Sequence, residues 1–191
     1  MRVLGLDPGE TTGWSLFHDE ARIDGGVIIN GLEGFIEWAK ADMPQHDVLV
    51  VEAFVVEPGF VGTPVAAEVL GAAFALSGAE KQVRQLRSKK ATVIAGTEAE
   101  RNSWLREHGF DFIIHEMDAT VHVLVYLKRI GHKAAFWRYW GTKKPLPPIS
   151  QSGRSSYQLV SADRALEVRR DGCDDSTDSR VDDGRPLASE A

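Results

Sequence analysis

The chain has 191 residues, 43% of them hydrophobic, a net charge of −6 and a single cysteine. This length fits one domain plus an appendage with a real core. The lone Cys173 excludes an intrachain disulfide and suits a reducing, intracellular setting, while the most apolar segment, Val65 to Ala79, carries Glu68 and is too short to span a bilayer. Net acidity argues against a polyanionic partner, but the distribution of charge argues for one. Residues 1–80 hold 3 Lys/Arg against 13 Asp/Glu, net −10, whereas residues 81–144 hold 13 against 6, net +7.

In chain order, Val3, Leu4 and Leu6 predict a short strand buried on both faces, broken by Pro8-Gly9. Asp7 closes that strand directly before the turn, a place an ordinary surface turn also offers an acid. Strands at 13–18 and 22–29 follow as a meander. Gly31 to Met43 predicts a helix with Leu32, Phe35, Ile36 and Ala39 on one face, stopped by Pro44. Val48-Leu49-Val50-Val51 then returns as a buried strand ending in Glu52, so the two acids become neighbours if the strands pair in parallel.

Thr63 to Ser77 predicts a helix rich in Ala and Gly, suited to close packing or a dimer face, and Val83 to Leu86 a short fifth strand. Thr97-Glu98-Ala99-Glu100 is a capping box opening a helix that ends at His108-Gly109. A further helix runs from His115 to Ile130. Its His115, Asp118 and His122 are spaced i, i+3 and i+7 and share one face; for His122 alone, a partly buried histidine is the simpler reading. Residues 147–191 are expected to form a polar, mostly disordered tail beyond a domain of residues 1–146: 150–156 and 171–183 lack apolar periodicity, and Leu159 to Val168 offers at most a short helix.

The basic block supplies Arg84, Arg87, Lys89, Lys90 and Arg101 as candidate nucleic-acid contacts, and further along Phe136, Trp137, Tyr139 and Trp140 alternate with cations. Phosphate backbones reward cations interleaved with stacking rings. For any single cation a solvated helix face is the plainer expectation.

Leu4-Gly5-Leu6-Asp7-Pro8-Gly9 with Gly13, Val50-Val51-Glu52, and His115-x-x-Asp118-Ala119, in that order and spacing, resemble the RuvC-type Holliday-junction resolvases, short bacteriophage-encoded members included. These belong to the RNase H-like nuclease superfamily, and the similarity covers roughly residues 1–131. The resemblance implies an α/β, RNase H-like fold with a mixed five-stranded sheet flanked by helices. It assigns Asp7, Glu52 and Asp118 to the family's catalytic, metal-binding carboxylates. His115 stands where many members carry a fourth acid and joins the same set; as an uncharged imidazole it tolerates manganese well. Lys90 and Arg101 fall near the family's phosphate-facing lysines.

The activity implied is endonucleolytic cleavage of branched DNA by two Mg2+ ions, or Mn2+, in a homodimer that needs neither a membrane nor a nucleotide cofactor. The setting implied is the cytoplasm of a bacterial or phage-infected cell. Two other readings stand beside it. Asp7-Pro8-Gly9-Glu10-Thr11-Thr12-Gly13 also resembles the first phosphate loop of actin-like ATPases, but Asp24-Gly25-Gly26 lies only seventeen residues on and the chain is too short for two lobes. A catalytically silent branched-DNA binder is the third.

Overall fold

The computed structural model describes residues 1–55 and 64–141; the expected boundary at 146 and the tail lie outside the described residues. Strands β1 (Arg2–Asp7), β2 (Thr12–His18) and β3 (Ala21–Ile28) form the meander, followed by α1 (Gly31–Ala41), β4 (Val48–Ala53), α2 (Val65–Leu76) and β5 (Lys81–Leu86). A 3-10 helix (Arg87–Thr92) then leads into α3 (Glu98–Glu107), α4 (Ile114–Arg129) and α5 (Lys133–Tyr139). The sheet order is β3-β2-β1-β4-β5. The meander pairs antiparallel, whereas β4 lies parallel to β1 and β5 parallel to β4. This is the expected mixed five-stranded sheet with helices on both faces.

Side chains on a strand alternate between faces, so residue parity sorts the core. Leu4, Leu6, Leu49 and Val51 point to one face and pack with Trp14, Phe35, Trp38, Val69 and Leu70 from β2, α1 and α2. Val3, Val48, Val50 and Val83 point to the other and pack with Met117, Val121, Leu124 and Leu127 of α4. By the same parity, Asp7, Glu52 and Gln85 at the carboxyl ends of β1, β4 and β5 all fall on the α4 face.

The capping box forms as the sequence predicts: the Thr97 hydroxyl accepts from the Glu100 backbone N–H, and the Glu100 carboxylate accepts from that of Thr97. Strand β5 starts at Lys81 rather than Val83 because Lys81 and Gln82 continue the ladder with Val48 and Leu49. Helix α5 and the 3-10 helix are not anticipated by the sequence reading; both span only six or seven residues, too few for a helical period to register.

Helix α4 lies against the sheet at backbone distance. A Cβ on Gly13 would lie 1.9 Å from the His115 carbonyl oxygen, and one on Gly5 2.5 Å from that of Ala119. Only glycine fits at either place. Every residue of α4 from Glu116 to Leu127 is buried except Asp118. The exception is the residue the sequence singles out.

Candidate active site

The parallel register pairs Leu6 with Val51, so Asp7 and Glu52 follow side by side at adjacent strand ends. Asp118, one turn into α4, faces them. Between the three carboxylates lies the Lys90 ammonium, with Nζ 3.2 Å from Asp7 Oδ1, 2.6 Å from Glu52 Oε2 and 3.1 Å from Asp118 Oδ2. Two imidazoles close the cluster. His115 Nδ1 lies 3.3 Å from Asp7 Oδ2, and the fully buried His122 places Nε2 2.8 Å from Glu52 Oε2. The i, i+3, i+7 stripe of α4 thus meets three different partners across the sheet ends.

Of the residues the sequence points to, Asp7, Glu52, His115 and Asp118 converge. Lys90 converges with them too, turned inward among acids rather than outward to a phosphate. Arg84, Arg87 and Lys89 are exposed along β5 and the 3-10 helix. Arg101 is buried on α3, which sets it apart from the other candidate cations. Among the aromatic residues, Tyr139 is a core side chain that donates to the Glu20 carbonyl at 2.6 Å, whereas Phe136 and Trp137 are exposed. The sequence reading leaves His122 out of the site. Its place on the His115–Asp118 stripe is the signal that could have included it.

Electrostatics follow from crowding several charges into a half-buried space. Burial, with the neighbouring Glu52 and Asp118 charges, pushes the Asp7 carboxyl upward against the pull of Lys90. Burial also acts to raise Glu52, but hydrogen bonds from His122 and Lys90 prevail and lower it to about 2. Burial alone would depress the Lys90 ammonium; the Asp7, Asp118 and Glu52 carboxylates overcome that and hold it above its ordinary value. Three acids around one ammonium leave a formal excess of negative charge, which a divalent cation suits better than any single side chain.

The donor set fits such an ion. Asp7, Glu52 and His122 bring carboxylate and imidazole atoms within 4.8 Å of one another, His122 supporting Glu52, and Asp7, Glu52 and Asp118 already hold a positive charge in the form of Lys90. Hard carboxylate oxygens favour magnesium, and adding an imidazole keeps manganese acceptable. Beside Glu52 opens a recess of about 560 Å3 whose walls include Leu86, Arg87 and Ser88.

On the opposite flank of α4 a second charge pair is closed off. Arg22 of β3 binds Glu116, its Nε donates to Ser15 Oγ at 3.2 Å, and its guanidinium lies 4.0 Å from the Phe112 ring centroid. Thr120 Oγ1 donates to the same serine at 2.9 Å, tying β2, β3 and α4 together. Burial pushes the Glu116 carboxyl up and the Arg22 guanidinium down, with their mutual attraction opposing both.

Comparison with known proteins adds to this geometry. No protein-family model matches the chain, and no curated protein does. Among solved structures, RuvC of Thermus thermophilus superposes with a TM-score of 0.53 at 17% identity, over 69% of this chain and 98% of that one. The chain has the RNase H-like fold of RuvC. Also similar are T. thermophilus RuvC in complex with a Holliday junction substrate, at TM-score 0.48, 18% identity and 69% and 97% coverage, and the yeast mitochondrial Holliday junction resolvase Ydc2, at 0.45, 13%, and 72% and 80%. Among the described residues, no helix is long and apolar enough to cross a membrane.

Proposed function

We propose that the chain is a metal-dependent endonuclease that cleaves branched DNA, Holliday junctions or related forks, by hydrolysing phosphodiesters to 5'-phosphate and 3'-hydroxyl ends. The observation that carries this reading is the convergence of Asp7, Glu52 and Asp118, from β1, β4 and α4, around one positive charge. The fold it shares with T. thermophilus RuvC supports it. Asp7, Glu52, Asp118 and His115 would hold two magnesium or manganese ions; when bound, these supply a nucleophilic hydroxide and stabilise the leaving 3'-oxygen.

The chain's own residues have distinct tasks. Asp7, flanked by Glu52 and His115, would contribute its carboxylate to holding the metal. His122 uses its Nε2–H to fix the Glu52 carboxylate, and Gln85 fixes His122 from behind at 2.8 Å. Lys90, with its long flexible stem, is held ready to follow a phosphate once the acids take metal. Arg84, Arg87 and Lys89, exposed on β5 and the 3-10 helix, would serve as cationic contacts for the nucleic-acid backbone. A homodimer would present two such sites to opposing strands of a four-way junction.

The test is a panel of branched and linear DNA incubated with magnesium or manganese. Asp7→Asn should lower cleavage by about a thousandfold or more while sparing junction binding; magnesium-dependent cutting that survives in this variant would overturn the mechanism. One observation favours a second reading. Lys90 already neutralises part of the acid cluster, as a catalytically silent branched-DNA binder would require, and that protein would bind junctions tightly without nicking them.

A further inference from the structure

Behind the acid cluster, on the far side of His122, lies a cavity of about 390 Å3 lined by Gln85, Lys89, Thr92, Val125, Lys128 and Arg129. Its chemistry is uneven. Three cations stand around it, Val125 and the methylene stems of the cations give it apolar walls, and Gln85, 3% exposed, contributes a buried amide. Lys128 is fixed, donating to the Thr92 and Val93 carbonyls at 2.8 and 3.1 Å, whereas Lys89 and Arg129 are exposed.

The orientation of the Gln85 amide follows from its partners. Gln85 Nε2 donates to the His122 carbonyl oxygen, which can only accept, at 3.3 Å. The same nitrogen lies 2.8 Å from His122 Nδ1, so the amide oxygen turns away from the ring. Gln85 Oε1 is left buried with no hydrogen-bond partner among the described residues. A buried acceptor without a donor is costly, and native structures seldom carry that cost without a use.

We propose that this cavity takes one unpaired nucleotide of the bound DNA strand, with a base N–H donating to Gln85 Oε1 and the nucleotide's phosphate held by Lys89 and Arg129. The alternatives fit less of the cavity. A bare phosphate leaves the Val125 wall wet and Oε1 unpaired, and a cationic ligand meets three like charges. A flat base with a donor edge and an attached phosphate satisfies all three features. The location suits a strand that also visits the active site: Lys89 and Lys90, adjacent in the 3-10 helix, serve the cavity and the acid cluster respectively. The occupant also connects to the site chemically, because Gln85 holds His122 and His122 holds Glu52. Base identity at one position of the substrate then bears on cleavage. The inference rests on the nuclease reading for its source of nucleotide, but not for the existence of the pocket.

The experiment scans 2-aminopurine, and separately an abasic residue, through the positions flanking the cut in a junction that the wild type binds. One position should change in fluorescence on binding, and an abasic residue there should slow cleavage about tenfold, the size of one lost hydrogen bond with its apolar contact. Thr92→Trp, which fills the cavity from its rim, should abolish both effects at that position; if it does not fold, the Lys89→Ala/Arg129→Ala pair serves instead. Junction binding with no responsive position, or a response that survives both variants, overturns the proposal.

If no junction is bound, the nuclease reading fails, and the cavity is tested alone by following the Gln85 side-chain amide in NMR spectra. Shifts caused by deoxynucleoside monophosphates but not by inorganic phosphate support it. Shifts caused equally by inorganic phosphate, or by neither, overturn it.

Discussion

On one flank of α4, Glu116 meets Arg22, one acid to one base, with Ser15, Thr120 and the Phe112 ring completing the enclosure. On the other flank, two residues later, Asp118 shares Lys90 with Asp7 and Glu52, three acids to one base. Both clusters are largely buried, and both join α4 to the sheet. The first is balanced between its buried members, with the exposed Asp24 acting on both, and is built on a guanidinium; the second is left negative and built on a point charge at the end of a flexible stem. Balance marks the pair that stays closed. Imbalance marks the place that a cation from outside would fit.

Breaking the balanced pair should have the largest effect on the fold. Glu116→Ala leaves the Arg22 guanidinium buried without its carboxylate and should cost about 3–5 kcal/mol in chemical denaturation. Magnesium should not restore it, because the lesion lies away from the acids that would bind metal. A variant as stable as wild type would mean that the pair is no structural anchor.

Acid should dissect the unbalanced cluster. Against burial, hydrogen bonds from His122 and Lys90 hold Glu52 at about 2 in the folded chain, where 4.5 is ordinary, so its stabilisation is complete above pH 4.5 and is lost as pH falls toward 2. Asp7 works in the opposite sense: its raised value stabilises the fold below 3.8, and this contribution disappears as pH rises through the folded value. The net acid loss is accordingly shallower than that of Glu52 alone. Denaturation profiles over this range should be flatter for Glu52→Gln than for wild type.

Lys90→Ala should remove about 1.5–3 kcal/mol from the metal-free protein, the value of hydrogen bonds to charged groups. Here, unlike at Glu116, magnesium should compensate, and the rise in melting temperature on adding it should exceed that of wild type. The smallest change sharpens the contrast between the two cations. Arg22→Lys keeps the charge beside Glu116 but loses the planar fork that reaches Ser15 and lies over Phe112, at a cost of about 1 kcal/mol, measurable as a shift in denaturation midpoint.

Much of this arrangement is legible in the chain. Apolar runs ended by an acid place Asp7 and Glu52 at strand ends, and residue parity puts both on the face that α4 covers. The i, i+3, i+7 spacing aligns His115, Asp118 and His122 on one stripe. What the sequence conceals is direction where no period exists. Lys90 lies in Arg87-Ser88-Lys89-Lys90, three cations in four residues, and only the three acids packed opposite determine that it is Lys90 that turns inward. Arg101 likewise looks like any helix cation until its helix packs it away from solvent. His122 looks like a core histidine and is one by burial; its bond to Glu52 depends on how close α4 lies to β4, which no local pattern encodes.

That closeness has a consequence for how this chain can vary. Because Gly5 and Gly13 let the helix rest on main-chain atoms at His115 and Ala119, the span across the acid cluster is gauged by peptide against peptide rather than by the girth of core side chains. A single methyl at either glycine would wedge the helix away from the sheet and draw His115 and Asp118 off the acids at the strand ends.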